Sequence, residues 1–286
     1  MKPKVAFYWC ASCGGCEEAV LDVGEQIFEV TNAVDIVFWP VALDFKEHDV
    51  EAMPDASIAI CFINGAVRTT GQEEMARLLR AKSKLVVAFG ACAQLGGIPG
   101  LANLSDARGL LQEVYGDGVA PKQEYRNNGH TIALPKLFDT VFPLDRVIAV
   151  DYYVPGCPPT PKIFMEAVEV LLSAELPEKG AVLAPDRALC EECPRRDTRP
   201  QDLHIEHFRR VHQTVIDPQL CLFAQGFLCL GPVTRAGCEA RCILGNMPCT
   251  GCFGPTSRVR DFGGKAMSAI ASSIAANDDV KTLLSG

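Results

Sequence analysis

Cys13-Gly14-Gly15-Cys16 sets two thiols three positions apart with only glycine between them. Two thiolates at that spacing can grip one metal centre, and glycine lets the backbone come close to it. Two more cysteines keep similar company: Cys92 in Gly90-Ala91-Cys92-Ala93, and Cys157 in Pro155-Gly156-Cys157-Pro158-Pro159. Four thiolates drawn from distant stretches suit a cube of iron and sulfide, which needs four. The C-x2-C pair alone would also fit a thioredoxin-like redox couple, and four thiols would also fit a structural zinc ion. The glycine-flanked pattern recurring at Cys92 and Cys157 favours the cluster. Cys10 extends the first motif to C-x2-C-x2-C and can compete as a ligand or serve as a core thiol. Cys61, inside Ile58-Ala59-Ile60-Cys61-Phe62, reads as a buried, inert thiol.

A second group is denser, with eight cysteines in the 63 residues from Cys190 to Cys252. Eight thiols divide into two sets of four, and a sequential division is the simplest. It puts Cys190, Cys193, Cys221 and Cys229 in one set and Cys238, Cys242, Cys249 and Cys252 in the other. Two zinc ribbons are an alternative, but zinc would not explain the third set of four near the N-terminus. An interleaved two-cluster ferredoxin arrangement is another, although the C-x2-C-x2-C-x3-C run that marks it is missing.

The elements that must position these thiols follow from hydrophobic period. Val5 to Trp9, Val34 to Trp39, Ser57 to Ile63, Leu85 to Phe89 and Val147 to Val150 are expected strands. Between them lie expected helices: Glu17 to Val30, Gln72 to Lys82, Ala107 to Tyr115, and one beginning at the Thr160-Pro161 cap and ending near Leu172. Alternating strands and helices imply right-handed βαβ units and a parallel sheet covered on both faces. The expected fold is α/β, a flavodoxin-like doubly wound parallel sheet over residues 1–180. An irregular, cysteine-rich iron–sulfur domain follows over residues 181–286. Cys13, Cys16, Cys92 and Cys157 then fall just beyond strand ends, on the carboxyl edge where parallel sheets bind ligands. Tyr115 to Arg146 reads as an insertion of loops with a hairpin at Asn127-Asn128-Gly129, and Glu175 to Pro185 as a linker. Past Cys190 periodicity fades, and bound metal is expected to hold the segment together. A helix over His204, His207 and His212 and a small-residue helix from Lys265 to Ala276 complete the expectation. The histidines read as solvated or packed rather than as ligands.

Composition narrows the function. The chain has 286 residues, a net charge of −8 and 7% aromatic residues, so nothing attracts it to nucleic acid or to anionic membrane. Its longest largely apolar stretch, Ser57 to Val67, is about 11 residues, too short for a membrane span. No signal peptide is visible, and the arginine pairs Arg195-Arg196 and Arg209-Arg210 are internal. Fourteen cysteines in a chain long enough to build a core point to a reducing cytoplasm and to metal or redox chemistry.

Taken together, these motifs resemble the small subunit of NiFe hydrogenases over almost the whole chain. The family pattern C-x2-C, G-x-C-A, G-C-P-P matches Cys13-Gly14-Gly15-Cys16, Gly90-Ala91-Cys92-Ala93 and Gly156-Cys157-Pro158-Pro159. The resemblance implies a proximal cluster there, a distal one on Cys190, Cys193, Cys221 and Cys229, and a medial one on Cys238, Cys242, Cys249 and Cys252. Cys190 stands where histidine is usual, and Cys242 supplies a fourth medial thiol where many members have proline. Three 4Fe-4S clusters are thereby implied. These departures, with the stretch from Cys221 to Pro232, are most similar to the cytoplasmic, methyl-viologen-reducing (deazaflavin-non-reducing) branch. That branch implies a large subunit bearing the Ni–Fe site, and an iron–sulfur/flavin partner leading on to heterodisulfide reductase. Glu17, directly after Cys16, becomes a candidate for moving the proton or orienting the cluster; otherwise it is a first-turn carboxylate complementing the helix dipole. The rivals are a stand-alone iron–sulfur carrier, a relative of the cluster-bearing complex I subunit, and a zinc-stapled binding module.

Overall fold

The computed structural model describes residues 2–116, 124–127 and 130–274. The chain divides into two compact units, Met1–Leu183 and Ala184–Gly286.

In the first unit five parallel strands form one sheet in the order β2-β1-β3-β5-β9. They are β1 (Lys4–Trp9), β2 (Asp35–Phe38), β3 (Ile58–Asn64), β5 (Ser83–Phe89) and β9 (Tyr152–Val154). Counted within the sheet alone, that is the flavodoxin-like order. Side chains alternate across it. Ala6, Cys61, Ile63, Val86 and Ala88 pack toward Met75, Ala76 and Leu79 of α4 (Thr70–Lys82). On the other face Phe7 and Phe62 stack with centroids 5.1 Å apart, and Phe62 and Phe89 meet Phe164 of α7 (Pro161–Leu172). Thr160 caps α7 by accepting a hydrogen bond from Ile163 N at 3.3 Å.

Two expectations in this unit need correction. The stretch from Glu17 to Val30 is not one helix. It is α1 (Gly15–Leu21), a 3₁₀ turn (Gly24–Gln26) and α2 (Ile27–Ala33), because Gly24 adopts φ +63° and breaks the α-helical path. The last strand is Tyr152–Val154 and not Val147–Val150. Val147 and Ile148 are used as core side chains from an irregular segment, which leaves the ladder to the three residues after Asp151.

Smaller elements complete the unit: α3 (Glu47–Glu51), α5 (Ala91–Leu95) and α6 (Ala107–Tyr115). Strand β4 (Val67–Thr69) pairs antiparallel with β8 (Leu137–Phe142), and β6 (Glu124–Asn127) with β7 (His130–Ala133). The expected hairpin is therefore present, with its turn residues Asn128 and Gly129 outside the described residues.

The second unit is irregular, with two helices among the described residues, α8 (Arg241–Leu244) and α9 (Phe262–Ala271). It does have an apolar cluster, with Leu189, Leu222, Phe223, Phe227 and Ile243 packed around Cys229 and Cys249. The expected helix over the histidines does not form. The segment is irregular, with isolated bridges in which Ile205 N bonds to Ser273 O at 2.7 Å and Arg209 N to Gly226 O at 2.9 Å, and His212 lies in a 3₁₀ turn. These cross-chain bonds take the backbone groups a helix would need. Among the described residues no helix is long and apolar enough to cross a membrane.

Candidate functional site

Three loops at the carboxyl edge of the sheet bring four thiols together. Cys13 follows β1, and Cys16 sits in the first turn of α1. Cys92 occupies the first turn of α5, directly after β5, and Cys157 follows β9. The last two loops are tied by their backbones: Gly90 N donates to Val154 O at 2.8 Å and Ala91 N to Gly156 O at 2.6 Å. Burial pushes the Cys16 thiol up, and the approach of Cys92, Cys157 and Cys13 pushes it further. The same neighbours, Cys157 and Cys13, act on Cys92 after its burial. Gly90, at φ +87°, lies under this group, and a Cβ placed on it would stand 2.4 Å from Cys16 Sγ.

Glu17 is only 4% exposed, well beyond what a dipole-complementing carboxylate on a helix surface requires. Trp39 Nε1 donates to Oε2, and Asn64 Nδ2 donates to Oε1 at 2.5 Å. Burial pushes the Glu17 carboxyl up, and those two hydrogen bonds pull it part of the way back. Neither Trp39 nor Asn64 was signalled by the sequence, since Trp39 reads as the end of a strand and Asn64 falls just past the expected strand Ser57 to Ile63.

Cys10, directly after β1, and Cys61, within β3, are buried in the core on the α4 side. Burial pushes each thiol up to about 12, and Cys61 adds to the effect at Cys10.

In the second unit Cys190, Cys193, Cys221 and Cys229 form one neighbourhood. Burial pushes the Cys190 thiol up to about 11, with Cys229, Cys193 and Cys221 adding to the rise and Arg199 opposing it. Gly231 lies against two of these thiols, where a Cβ would stand 3.3 Å from Cys190 Sγ and 3.6 Å from Cys229 Sγ. Of the remaining four, Cys238 is brought near Cys242, and Cys249 near Cys252 and Cys229. Cys249 N also donates to Cys229 Sγ at 3.4 Å. His204 and His207 are exposed and line a shallow pocket with Glu206 and Arg209, and its lining includes no cysteine.

Among the described residues no three Cys, His, Asp or Glu side chains close tightly enough to hold a single metal ion. The grouped donor atoms are all soft sulfur.

Residues 13–171 match the family described as NADH ubiquinone oxidoreductase, 20 kDa subunit. The iron–sulfur subunit of the F420-non-reducing hydrogenase of Archaeoglobus profundus is 39% identical, across 96% of this chain and 89% of its own length. The corresponding subunit of the Vhu F420-non-reducing hydrogenase of Methanocaldococcus jannaschii is 38% identical, across 94% of this chain and 87% of its own. The chain belongs to the family of F420-non-reducing hydrogenase iron–sulfur subunits.

Solved structures place the family's fold among hydrogenases. The NiFeSe hydrogenase of Desulfovibrio vulgaris Hildenborough superimposes with a TM-score of 0.58 over 89% of this chain and 94% of the other, at 20% identity, which bears on the fold alone. A chain of an NAD+-reducing NiFe hydrogenase gives a TM-score of 0.51 at 28% identity, over 62% of this chain and 96% of that one. For a member of this family, the thiols gathered at the carboxyl edge of the first unit and those of the second unit are the features to be explained.

Proposed function

We propose that the chain is the electron-transfer (small) subunit of a NiFe hydrogenase and holds three 4Fe-4S clusters. Cys13, Cys16, Cys92 and Cys157 hold the proximal one. Cys238, Cys242, Cys249 and Cys252 hold the medial one, and Cys190, Cys193, Cys221 and Cys229 the distal one. A separate large subunit bears the Ni–Fe site, and an iron–sulfur/flavin partner leading on to heterodisulfide reductase accepts the electrons in the cytoplasm.

The observation that carries this reading is the convergence of Cys16 with Cys13, Cys92 and Cys157 over Gly90 at the carboxyl edge of the sheet. Bare backbone under the sulfurs leaves room that any side chain at residue 90 would fill. Burial and neighbouring thiols push the Cys16 and Cys92 thiols up, so a cationic centre is needed before the whole set can ionise. Soft, all-sulfur donors favour iron–sulfur clusters over hard cations. When bound, such clusters take up and release single electrons.

The chain's own residues hold and enclose them. The Gly90–Val154 and Ala91–Gly156 hydrogen bonds fix the spacing between the Cys92 and Cys157 loops. Glu17 orients the Cys16 turn through Trp39 and Asn64, and is the chain's candidate for holding a proton beside it. Directly after α5, Ile98, Leu101 and Leu104 are 68%, 61% and 90% exposed, apolar surface of the kind a partner subunit covers.

Anaerobic metal analysis tests the reading. About twelve iron and about twelve acid-labile sulfide per chain are expected, four of each per cluster. Stoichiometric zinc without sulfide overturns it. The purified chain alone should not reduce dyes with hydrogen, and hydrogen-dependent reduction free of any nickel protein would overturn the division of labour.

A further inference from the structure

In the second unit the segment around Cys190 and Cys193 reaches both ends of the Cys238–Cys242 stretch with side chains of opposite charge. Glu192 Oε1 accepts from Gly237 N at 2.9 Å and from Glu239 N at 3.1 Å, the residues flanking Cys238. Arg195 is 4% exposed, and its Nη2 donates to Ile243 O at 2.9 Å and to Asn246 Oδ1 at 2.5 Å. Its Nη1 faces the carbonyls of Asp217 and Leu220, and its backbone N donates to Cys193 Sγ at 3.4 Å. Among the described residues its guanidinium has only neutral oxygens as partners. Arg235 is equally buried but forms an ion pair with Asp186 at 2.9 Å. Arg199 Nη1 lies 4.0 Å from Cys190 Sγ.

The neighbouring charges do not cancel this pattern. Arg241 pairs with Glu239 at 3.5 Å, and Glu191 is turned to accept from Ala188 N at 3.1 Å. Arg187 approaches Glu192 only at 3.7 Å, from an exposed position where water screens it. Arg199 thus stands beside Cys190 and Glu192 beside Cys238, while Arg195 lies between the two sets, its charge acting on Cys193 and its guanidinium also holding the turn after Cys242.

We propose that Arg195 and Arg199 raise, and Glu192 lowers, the reduction potential of the centre held by the thiols each one faces, so that the Cys190-Cys193-Cys221-Cys229 set is the easier of the two C-terminal sets to reduce. The proposal rests on the reading that both sets hold clusters. Reduction adds negative charge, so a fixed cation stabilises the reduced form and a fixed anion opposes it, most strongly where water is excluded. These are positioning residues, and their placement gives the relay a direction.

The test is a redox titration of the complete subunit in its complex, followed by electron spin resonance, after iron and sulfide have been counted. Arg199→Gln and Arg195→Gln should shift the midpoint of the distal centre downward. Glu192→Gln keeps the acceptor oxygen and should shift the medial midpoint upward. Arg195→Lys restores the charge and should return the distal midpoint toward that of the unmodified chain, which a packing role alone would not do. Raising the salt concentration should shrink the effect at exposed Arg199 more than that at buried Arg195. Arg199→Gln keeps the test intact should Arg195→Gln lose its fold. Unmoved midpoints in iron-replete variants overturn the proposal alone. An unmodified chain without iron and sulfide overturns the cluster reading and this proposal with it.

Discussion

Cys16 Sγ occupies the space a side chain at residue 90 would need: a Cβ on Gly90 would lie 2.4 Å from it. Gly90 also has φ +87° and ψ 165°, a backbone region that costs other residues about 1–3 kcal/mol. Gly90→Ala should therefore displace Cys16 from its centre. Iron should fall by about one per chain where the cluster survives on three thiolates, and by about four where it is lost, with the far-ultraviolet circular dichroism unchanged. Full iron in that variant would remove Cys16 from the ligand set.

Glu17 answers two buried donors with two oxygens. Glu17→Ala should cost about 2–4 kcal/mol in thermal or denaturant unfolding, because Trp39 Nε1 and Asn64 Nδ2 both lose an acceptor. Glu17→Gln should cost much less. Among the described residues Asn64 Oδ1 is buried with no hydrogen-bond partner, so a flip of the Asn64 amide would offer an acceptor to the new NH₂ group. Equal losses from the two substitutions would show that the Asn64 amide cannot turn.

Cys242 lies in the first turn of α8 and is exposed. Cys242→Ala should leave Cys238, Cys249 and Cys252 with a three-iron centre. The iron count should drop by about one, since each thiolate of a four-iron cluster holds one iron. A three-iron centre is paramagnetic when oxidised, so a new spin resonance signal should appear in the oxidised protein. Unchanged iron and no new signal would mean that the four thiols of that set are divided differently.

Asp151 ties the start of β9 to β5 and α4, its carboxylate accepting from Val86 N and from Arg80. Burial pushes its carboxyl up, but hydrogen bonds from Lys179, Arg80 and Val86 N, with the charge of Arg80, together leave it below the usual carboxylate range. A depressed pKa contributes stability above the unfolded carboxylate value, about 4, and that contribution is lost as pH falls through the folded value. Asp151→Asn should lower stability at neutral pH by about 1.5–3 kcal/mol, the range for a hydrogen bond to a charged group. Its unfolding should also depend less on pH in the acid range than that of the unmodified chain. Parallel pH profiles would show that another carboxylate dominates.

Much of this was readable from residue types, because period and punctuation report on burial directly. The runs at Val5, Ile58 and Leu85 became strands, and the Thr160-Pro161 cap began α7 where a proline-led helix must begin. The edge strand was misplaced because Val147 and Ile148 are apolar for packing and not for pairing, while Tyr152 and Tyr153 resemble surface residues. The histidine segment failed for a related reason. Its backbone is satisfied by Gly226 and Ser273, partners far away in sequence. At the carboxyl edge the glycine-flanked cysteines announced themselves, whereas Trp39 and Asn64 did not. Their role depends on tertiary approach to Glu17, which no local pattern records. The same holds for Arg195, whose neighbours lie as far away as Asn246.

The strand order also sets a timetable. Cys13 and Cys16 belong to the first loop made, Cys92 to a later one, and Cys157 to the loop after β9, the strand that closes one edge of the sheet. Chains emerge N-terminus first. A nascent chain that stops short of β9 therefore offers three thiols at this edge and lacks the acceptor for Gly90 N. Docking of β9 supplies both the missing thiol and the backbone acceptor in one event. On the proposed cluster reading, the four-thiol site is therefore complete only once the whole first unit has left the ribosome.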